Sequence, residues 1–332
     1  MASVMALLAM PAQAQEKIKL KFADWMPTSH YTVVHGAHPF MDKATELSKG
    51  RIEFQYFPSE QLGKAKDLLT LVQSGAADIV DISPSYISDK FALSSVAELP
   101  AMFTTACQGS YAYAELAAEG GILAEREFKP NRIRVLASIA YAPYKVATVG
   151  QKVETVKDFS GLKLRTAGGA MDLTATQLGA VSVRMPGPDI LPSLSRRTLD
   201  GVLAPLQSVK VFDLQTELRH MTTDVSLGSF ITVYAISERA WKALPEDMRK
   251  VLEEAGKHAQ KTHCEYVDAT EPQVIKQLEA DGVVANSMAA GQLEALNTSL
   301  AEVGAQWAKS LDDRKRPGTD VLKAFQEAVA TK

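Results

Sequence analysis

Hydrophobic and polar residues follow two alternating periods along the first part of the chain. Residues 18–23, IKLKFA, alternate as a half-buried strand does. Residues 35–48 have apolar positions at helical spacing, and Gly50 follows where such a helix would end. The strand IEFQYF, a helix over residues 64–74 and the strand ADIVDI come next. This order predicts parallel strands that are covered by helices.

The same alternation begins again after Pro130. Strands are predicted for IRVLASI, KVATVG, GLKLRT and VSVRM, with a helix over residues 171–178, and LPSLSRRTLDGVLA is typical of a helix that runs into a strand. A β-rich stretch, TTDVSLGSFITVYAIS, precedes residues 238–280, whose pattern is helical with predicted breaks near Pro245 and Pro272. We therefore expect two α/β units braced by long C-terminal helices.

The first fifteen residues have the features of a secretory signal. Residues 4–10 form a short apolar run, and the triplet Ala12-Gln13-Ala14 resembles a cleavage site. A basic leading region is missing, so a frayed apolar N-terminus is the alternative interpretation. We predict that residues 1–15 are removed from an exported, periplasmic protein. A membrane span is not expected, since no later apolar run reaches the ~20 residues that a span needs.

Composition argues against a nucleic-acid partner and leaves open whether the two cysteines form a disulfide. The chain has 332 residues, 46% of them hydrophobic, and its formal net charge is −3. Lys and Arg are dispersed along the sequence, so no nucleic-acid partner is expected. Cys107 and Cys264 stand far apart without a CxxC pattern. An exported protein could join them, but we favour two buried free thiols.

Recognisable catalytic and metal-binding motifs are missing from the sequence. GxSxG, HExxH, the P-loop and a GxGxxG after the first strand do not occur. His30, His35 and His38 are close together but have no acidic or Cys ligand beside them, so we interpret them as one loop histidine and two helix-surface histidines. We expect no cofactor and no metal, and not an enzyme.

Several segments in a fixed order resemble one known family. They are KFADWMPTSH, FPSEQLGKAKDLLTLVQSGAADI, VAELPAMF, VETVKDFSGLKLRT, LGAVSVRMP and LSRRTLDGVLAP. Together they resemble the DctP-like periplasmic solute receptors of tripartite ATP-independent (TRAP) transporters. The resemblance implies a two-lobe clamshell of the periplasmic-binding-protein type, with the ligand cleft between the lobes. We assign residues 16–139 plus 224–262 to lobe I, and residues 140–223 plus 263–332 to lobe II.

The resemblance also implies how a ligand is held. Family members bind a carboxylate with the Arg of a G-x-K-x-R strand, which is Arg165 in this sequence. A planar guanidinium suits a carboxylate because it can donate two parallel hydrogen bonds. The pattern alone leaves a second interpretation open, since Leu162 and Leu164 alternate with Lys163 and Arg165 as on a strand with one exposed face.

Other positions depart from the sialic-acid branch of that family. Trp25 and Ala204 stand where that branch has Asn, Ser83 stands where it has an acidic residue, and a family Arg falls near Tyr144 and Lys145. A polyhydroxylated ligand would leave hydroxyls unpaired here, at ~1 to 3 kcal/mol each. We therefore expect a smaller acid: a keto, hydroxy or aromatic monocarboxylate. Further candidate cleft residues are Tyr86, Tyr141, Gln207 and Phe230.

The sequence thus predicts a monomeric extracytoplasmic receptor that captures a small organic acid and delivers it to TRAP membrane permease subunits. Two alternatives stay open at this point. A receptor for an ATP-driven importer would share the fold, although the GLKLR and QLG segments disfavour it. An exported α/β hydrolase would need a nucleophile beside a base, and the sequence shows none in a recognisable setting.

Overall fold

Two mixed β-sheets, each covered by helices, form the two lobes of the protein. The computed structural model describes residues 17–332, so the predicted signal segment at residues 1–15 lies outside it. The described chain forms strands β1 (Ile18–Ala23), β2 (Ile52–Phe57), β3 (Ile79–Ile82), β4 (Ile133–Ala140), β5 (Lys145–Thr148), β6 (Lys163–Thr166), β7 (Val181–Arg184), β8 (Gly201–Ala204), β9 (His220–Thr222), β10 (Ile231–Ser237) and β11 (Val284–Asn286).

The helices follow the predicted alternation. They are α1 (His38–Leu47), α2 (Leu68–Ser74), α3 (Ala106–Ala117), α4 (Met171–Gln177), α5 (Ile190–Ser195), α6 (Leu206–Val211), α7 (Glu238–Ala243), α8 (Glu246–Ala280), α9 (Gln292–Asp312) and α10 (Gly318–Ala330). Two 3-10 turns, Pro84–Ile87 and Leu93–Glu98, follow β3. Within residues 17–332, every helix is too short or too polar to cross a lipid bilayer.

The first lobe is built on the sheet with strand order β2-β1-β3-β10-β4. β1 pairs with β2 and β3 in parallel, and β10 joins this unit by pairing antiparallel with both β3 and β4. The alternation in β1 explains its placement, because Leu20 and Phe22 are buried while Lys19 and Lys21, which alternate with them, are exposed. α2 ends at Gly75, whose φ of 81° is left-handed, as expected for a glycine that ends a helix.

The second lobe is built on the sheet with strand order β11-β9-β5-β8-β6-β7. β6 is parallel to β7 and β8, whereas β5 is antiparallel to β8 and β9. The stretch predicted as β-rich, residues 222–237, is a strand mainly in its second half, since Thr222 ends β9 of this sheet, residues 223–230 are not a strand and β10 belongs to the other sheet.

The chain crosses between the lobes in segments that are bonded to each other. Residues 141–144 lead from β4 to β5, and residues 223–230 return from β9 to β10. Tyr144 N donates to Gly228 O at 2.8 Å, Leu227 N donates to Tyr144 O at 3.0 Å, and Tyr141 N donates to Phe230 O at 2.9 Å. The two crossings thus form a paired ribbon at the base of the cleft.

The C-terminal helices connect both lobes. α8 packs on α1, α3 and β4 of the first lobe and on α6 and β11 of the second. α9 packs on α4 in the second lobe, and α10 packs on α9 and on α3 in the first. These helices support both lobes, as their predicted length suggested.

Two sequence expectations about α8 differ from the structure. The break at Pro245 is confirmed, but Pro272 lies inside α8, which continues past it because buried residues such as Val267 and Leu278 anchor both sides.

The expected free thiols are also wrong, since Cys107 of α3 and Cys264 of α8 form a disulfide. Packing of α3 against α8 brings their Cα atoms to 4.8 Å, which sequence separation could not reveal.

Candidate functional site

A small cavity lies between the two lobes, beside the paired crossings. It is lined by Trp25, Met26, Tyr86, Tyr141, Tyr144, Arg165, Gly187, Ile190, Ala204, Pro205, Ser208, Phe212, Leu214 and Phe230. Its volume of about 20 Å³ is enough for roughly one water molecule. The lobes are therefore closed in this structure, and a small organic ligand can enter only when they or the lining side chains move apart.

Arg165 projects from β6 into this cavity and is only 3% exposed. Its Nε donates to Met185 O at 3.0 Å, Nη1 to Leu203 O at 3.4 Å and Nη2 to the Tyr86 hydroxyl at 3.3 Å. A guanidinium has five N–H groups, of which these bonds use three, and Tyr144 is a further hydrogen-bond partner of Arg165. Terminal N–H groups that are not used in this way can donate to the oxygens of a carboxylate.

Tyr86 connects the lobes at the guanidinium. Its hydroxyl oxygen accepts from Arg165 of the second lobe and from the backbone N–H of Gly187 at 3.0 Å. Both lone pairs are then in use, so the hydroxyl proton is free to be donated to a bound anion. Burial raises the pKa of Tyr86, and neighbouring Arg165 and Gly187 oppose this effect only in part. The phenol therefore stays neutral and acts as a donor.

Tyr144 adds a second phenol at the same place. Burial raises the pKa of Tyr144, while Arg165 beside it partly opposes the shift. The Phe230 ring packs among the tyrosines, with ring centroids 5.3 Å from Tyr86, 5.2 Å from Tyr141 and 6.5 Å from Tyr144. The Trp25 ring meets Tyr86 edge to face at 5.3 Å. The guanidinium is thus surrounded by aromatic surface.

A buried carboxyl group joins the lobes next to this site. Glu98 of the first lobe accepts from the Ser85 hydroxyl and, across the lobe boundary, from the backbone N–H of Ala170 at 3.2 Å. Ala170 lies in the loop that follows β6, the strand of Arg165. Burial raises the pKa of Glu98 to about 8, although these hydrogen bonds favour the ionised form.

Two further carboxyl groups are buried behind Trp25. Asp24 accepts from Met26 N at 2.8 Å and from the Tyr56 hydroxyl at 2.8 Å, which fixes the loop that carries Trp25. Asp81 of β3 lies beside it, and burial raises the pKa of both groups. Two such groups so close together share a proton instead of ionising together.

The histidines that the sequence places near one another have separate surroundings. His30 is fully buried, and its ring stacks on that of Tyr31 with the centroids 4.4 Å apart. The sequence indicates a loop histidine and gives no sign that it is buried. Burial lowers the pKa of His30 to about 3, which keeps it neutral. Within residues 17–332, no three His, Cys, Asp or Glu side chains are arranged to hold a metal ion.

Comparison with known families agrees with this geometry. Residues 22–310 match the family model described as "Bacterial extracellular solute-binding protein, family 7", DctP. This chain belongs to that family. Family 7 consists of solute-binding receptors and is not an enzyme family.

Individual members of family 7 and solved structures resemble this receptor along nearly its whole length. The outer membrane transporter protein TsaT of Comamonas testosteroni is 23% identical, with 99% of this chain and 96% of TsaT covered. A TRAP receptor from an unidentified marine microbe, described as specific for aromatic acid ligands and bound to 3-hydroxybenzoate, is 24% identical with a TM-score of 0.88 and 95% and 99% coverage. A TRAP receptor from Rhodoferax ferrireducens, with copurified benzoate, is 24% identical with a TM-score of 0.86 and 95% and 98% coverage.

The structure brings six of the predicted site residues of this family 7 receptor together. The predicted residues that line the cavity are Arg165, Trp25, Tyr86, Tyr141, Tyr144 and Phe230. Arg165 and Tyr86 are in direct contact, and Trp25 and Phe230 each pack against Tyr86. The interpretation of Arg165 as an exposed strand residue is therefore wrong.

Three other predicted residues do not line the cavity. Lys145 donates to Val225 O at 2.9 Å and pairs with Glu271 at 3.7 Å, so its charge is used elsewhere. Gln207 on α6 donates to Val267 O at 3.3 Å and thereby connects α6 to α8. Ser83 is buried at the start of the turn after β3, and Tyr86 reaches the cavity from the next part of that turn.

Sequence reasoning missed a second group of lining residues, on the β7–α5 loop and around α6. Ile190, Ser208 and Phe212 belong to this group. Their position was a usable signal, because loops after parallel strands meet at the edge of a sheet where ligands bind. The role of Glu98 had no such signal, since its contact with Ala170 depends on how the lobes pack.

Proposed function

We propose that this family 7 receptor binds a small aromatic monocarboxylate in the cavity between its lobes, with Arg165 as the anchor of the carboxylate. The observation that carries the proposal is one buried guanidinium in an aromatic cavity. Among the described residues that line the cavity, Arg165 is the only charged one. A single buried positive charge is matched by one carboxylate, whereas a second carboxylate would be buried without a counter-ion.

The aromatic wall determines what the rest of the ligand is like. Trp25, Tyr86 and Phe230 present ring surface, which favours apolar ligand surface at ~25 cal/mol per Å². Ala204 and Pro205 add two non-polar groups to the cavity lining. Two similar receptors bind aromatic acids, which agrees with this chemistry. A sugar acid would leave several hydroxyls without partners in such a cavity.

The transport role follows from the family and from the closed lobes. We propose that the protein is exported by residues 1–15, works in the periplasm as a monomer, and releases its ligand unchanged to TRAP permease subunits. The paired crossings near Tyr144 and Gly228 bend as the lobes open and close. Ligand binding stabilises the closed form because Arg165 and Tyr86, from opposite lobes, both contact the carboxylate.

Calorimetric titration of the protein without residues 1–15 tests the ligand class. Benzoate and phenylacetate should bind with micromolar or tighter affinity, while sialic acid and succinate should give no heat of binding. Ligand recovered after incubation should be chemically unchanged. Tight binding of sialic acid with silent aromatic acids, or conversion of the ligand, would contradict the proposal.

A further inference from the structure

Several polar groups of the cavity wall already have hydrogen-bond partners inside the protein. Arg165 bonds to Met185, Leu203 and Tyr86, and the Ser208 hydroxyl lies 3.2 Å from the Tyr31 hydroxyl. Two lining residues are different. The Trp25 Nε1 and Tyr141 hydroxyl are buried and have no hydrogen-bond partner among residues 17–332.

Such unpaired groups are costly to keep in a protein interior. A buried polar atom without a partner loses its hydration without replacement, whereas a partner supplied by a ligand removes that loss. Trp25 and Tyr141 are 2% exposed and lie in the wall of the cavity that a ligand would fill. A ligand atom is therefore the available partner for both.

The chemistry of the two groups restricts that ligand atom. An indole N–H can only donate, and a phenol can donate or accept. Burial raises the pKa of Tyr141 well above its usual range, so its hydroxyl keeps its proton. The partner must accept hydrogen bonds, which points to oxygen. It must also be uncharged, because the only charged side chain of the described lining is Arg165, which the carboxylate already occupies.

We propose that the ligand carries a second, neutral oxygen, a hydroxyl or carbonyl group, and that Tyr141 and Trp25 recognise it. This inference rests on the proposed function and narrows the ligand to hydroxy- or keto-substituted aromatic monocarboxylates. The site then holds the ligand at two positions, with the carboxylate at Arg165 and the second oxygen at Tyr141 and Trp25. A site of this kind selects against analogues that lack the oxygen.

Matched acid pairs test the inference by calorimetry. The probes are benzoate with its three monohydroxy derivatives, and phenylacetate with mandelate and phenylglyoxylate. At least one oxygenated acid should bind about tenfold or more tightly than its parent. Tyr141→Phe should abolish that preference, because it should weaken binding of the oxygenated acid more than binding of its parent.

Two other variants make the result specific. Tyr113→Phe removes a hydroxyl from a fully buried tyrosine of α3 that does not line the cavity, so its preference should equal that of the wild type. Trp25→Phe should weaken the oxygenated acid more than its parent, which keeps the test valid if Tyr141→Phe fails to fold.

Several outcomes would overturn the inference. Equal affinity for parent and oxygenated acids in the wild type would do so, as would a Tyr141→Phe variant that weakens both members of a pair alike. Parent acids that bind without any preference leave the proposed function intact and remove only this inference. Failure of every aromatic acid to bind would remove the proposed function itself.

Discussion

At the scale of single residues, the uncharged hydroxyl groups of Tyr86 and Tyr144 lie beside the buried guanidinium of Arg165. Tyr86 accepts from Arg165 and Gly187, which leaves its proton for a ligand, and Tyr144 lies beside the same guanidinium. Positions beyond strand ends indicated Trp25 and Tyr86, because ligands bind where parallel strands end, whereas the family resemblance indicated Arg165. The same reasoning did not find that Lys145 is paired with Glu271, since residues 126 positions apart meet only through packing.

Glu98 makes the stability of the protein depend on pH. Its pKa is about 8 in the folded protein, against an ordinary value of 4.5. Between these values the folded protein keeps a proton that the unfolded chain has released, so the free energy of unfolding falls as pH rises, by up to ~1.4 kcal/mol per pH unit. Glu98→Gln mimics the protonated carboxyl group, so the contribution of this residue to the fall in unfolding free energy with rising pH should disappear.

Urea denaturation of both proteins at several pH values from 5 to 8 checks this prediction. The free energy of unfolding of Glu98→Gln minus that of the wild type should increase steadily with pH. Glu253→Gln, on the exposed side of α8, is the control and should show a constant difference. A constant difference for Glu98→Gln as well would contradict the account of Glu98.

At the scale of secondary-structure elements, α8 depends on close contact with the first sheet. Gly256 of α8 lies against β4, and a Cβ atom there would overlap the carbonyl oxygen of Leu136. Glycine in a helix interior usually costs about 1 kcal/mol relative to alanine. Here the missing side chain is what allows helix and strand to approach.

Two glycine substitutions in helices should therefore act in opposite directions. Gly256→Ala should lower the free energy of unfolding by about 2 kcal/mol or more, because the overlap is with backbone that cannot rotate away. Gly304→Ala in α9 should raise it by about 0.5 to 1 kcal/mol, since its new Cβ meets only Leu322 methyl groups at 3.8 and 3.9 Å. Denaturant titration measures both, and stabilisation by Gly256→Ala would contradict the packing described.

The disulfide between α3 and α8 is a second constraint at this scale. Cys107 and Cys264 are 157 positions apart, so the bond restricts a large part of the unfolded chain. The double variant Cys107→Ser/Cys264→Ser should lose about 2 to 4 kcal/mol of unfolding free energy. Thermal denaturation with and without reductant checks this, because the reductant should affect only the wild type. Alkylation of both cysteines in unreduced wild-type protein would contradict the bond.

The element order was largely predictable, whereas contacts between elements were not. Strand alternation and the glycines after helices indicated β1, β2, β3, α1 and α2 with nearly correct bounds. Pro272 misled because a proline interrupts a helix only where tertiary contacts do not hold both sides. The cysteine pair was missed for the same kind of reason, since helix packing brings the two residues together.

At the scale of the whole molecule, two lobes close over the buried side chain of Arg165. The two α/β units were visible in the sequence, and the family resemblance indicated that they form a clamshell. The interlocking of the lobes was not predictable, because it depends on contacts such as Tyr86 with Arg165 and Glu98 with Ala170. These contacts connect β6, which carries Arg165, and the loop after it to the turns that follow β3.

Titration of Arg165 variants with an aromatic monocarboxylate that binds the wild type tests the central claim most directly. Arg165→Ala should lose ~2 to 5 kcal/mol of binding free energy, and Arg165→Lys should regain little, because one ammonium group cannot replace the two parallel N–H donors. Arg184→Ala is the matched control, since Arg184 lies on the neighbouring strand β7 and pairs with Asp172 outside the cavity lining. The account predicts near wild-type affinity for Arg184→Ala and a large loss for Arg165→Ala. Near wild-type affinity in a folded Arg165→Ala variant would contradict it.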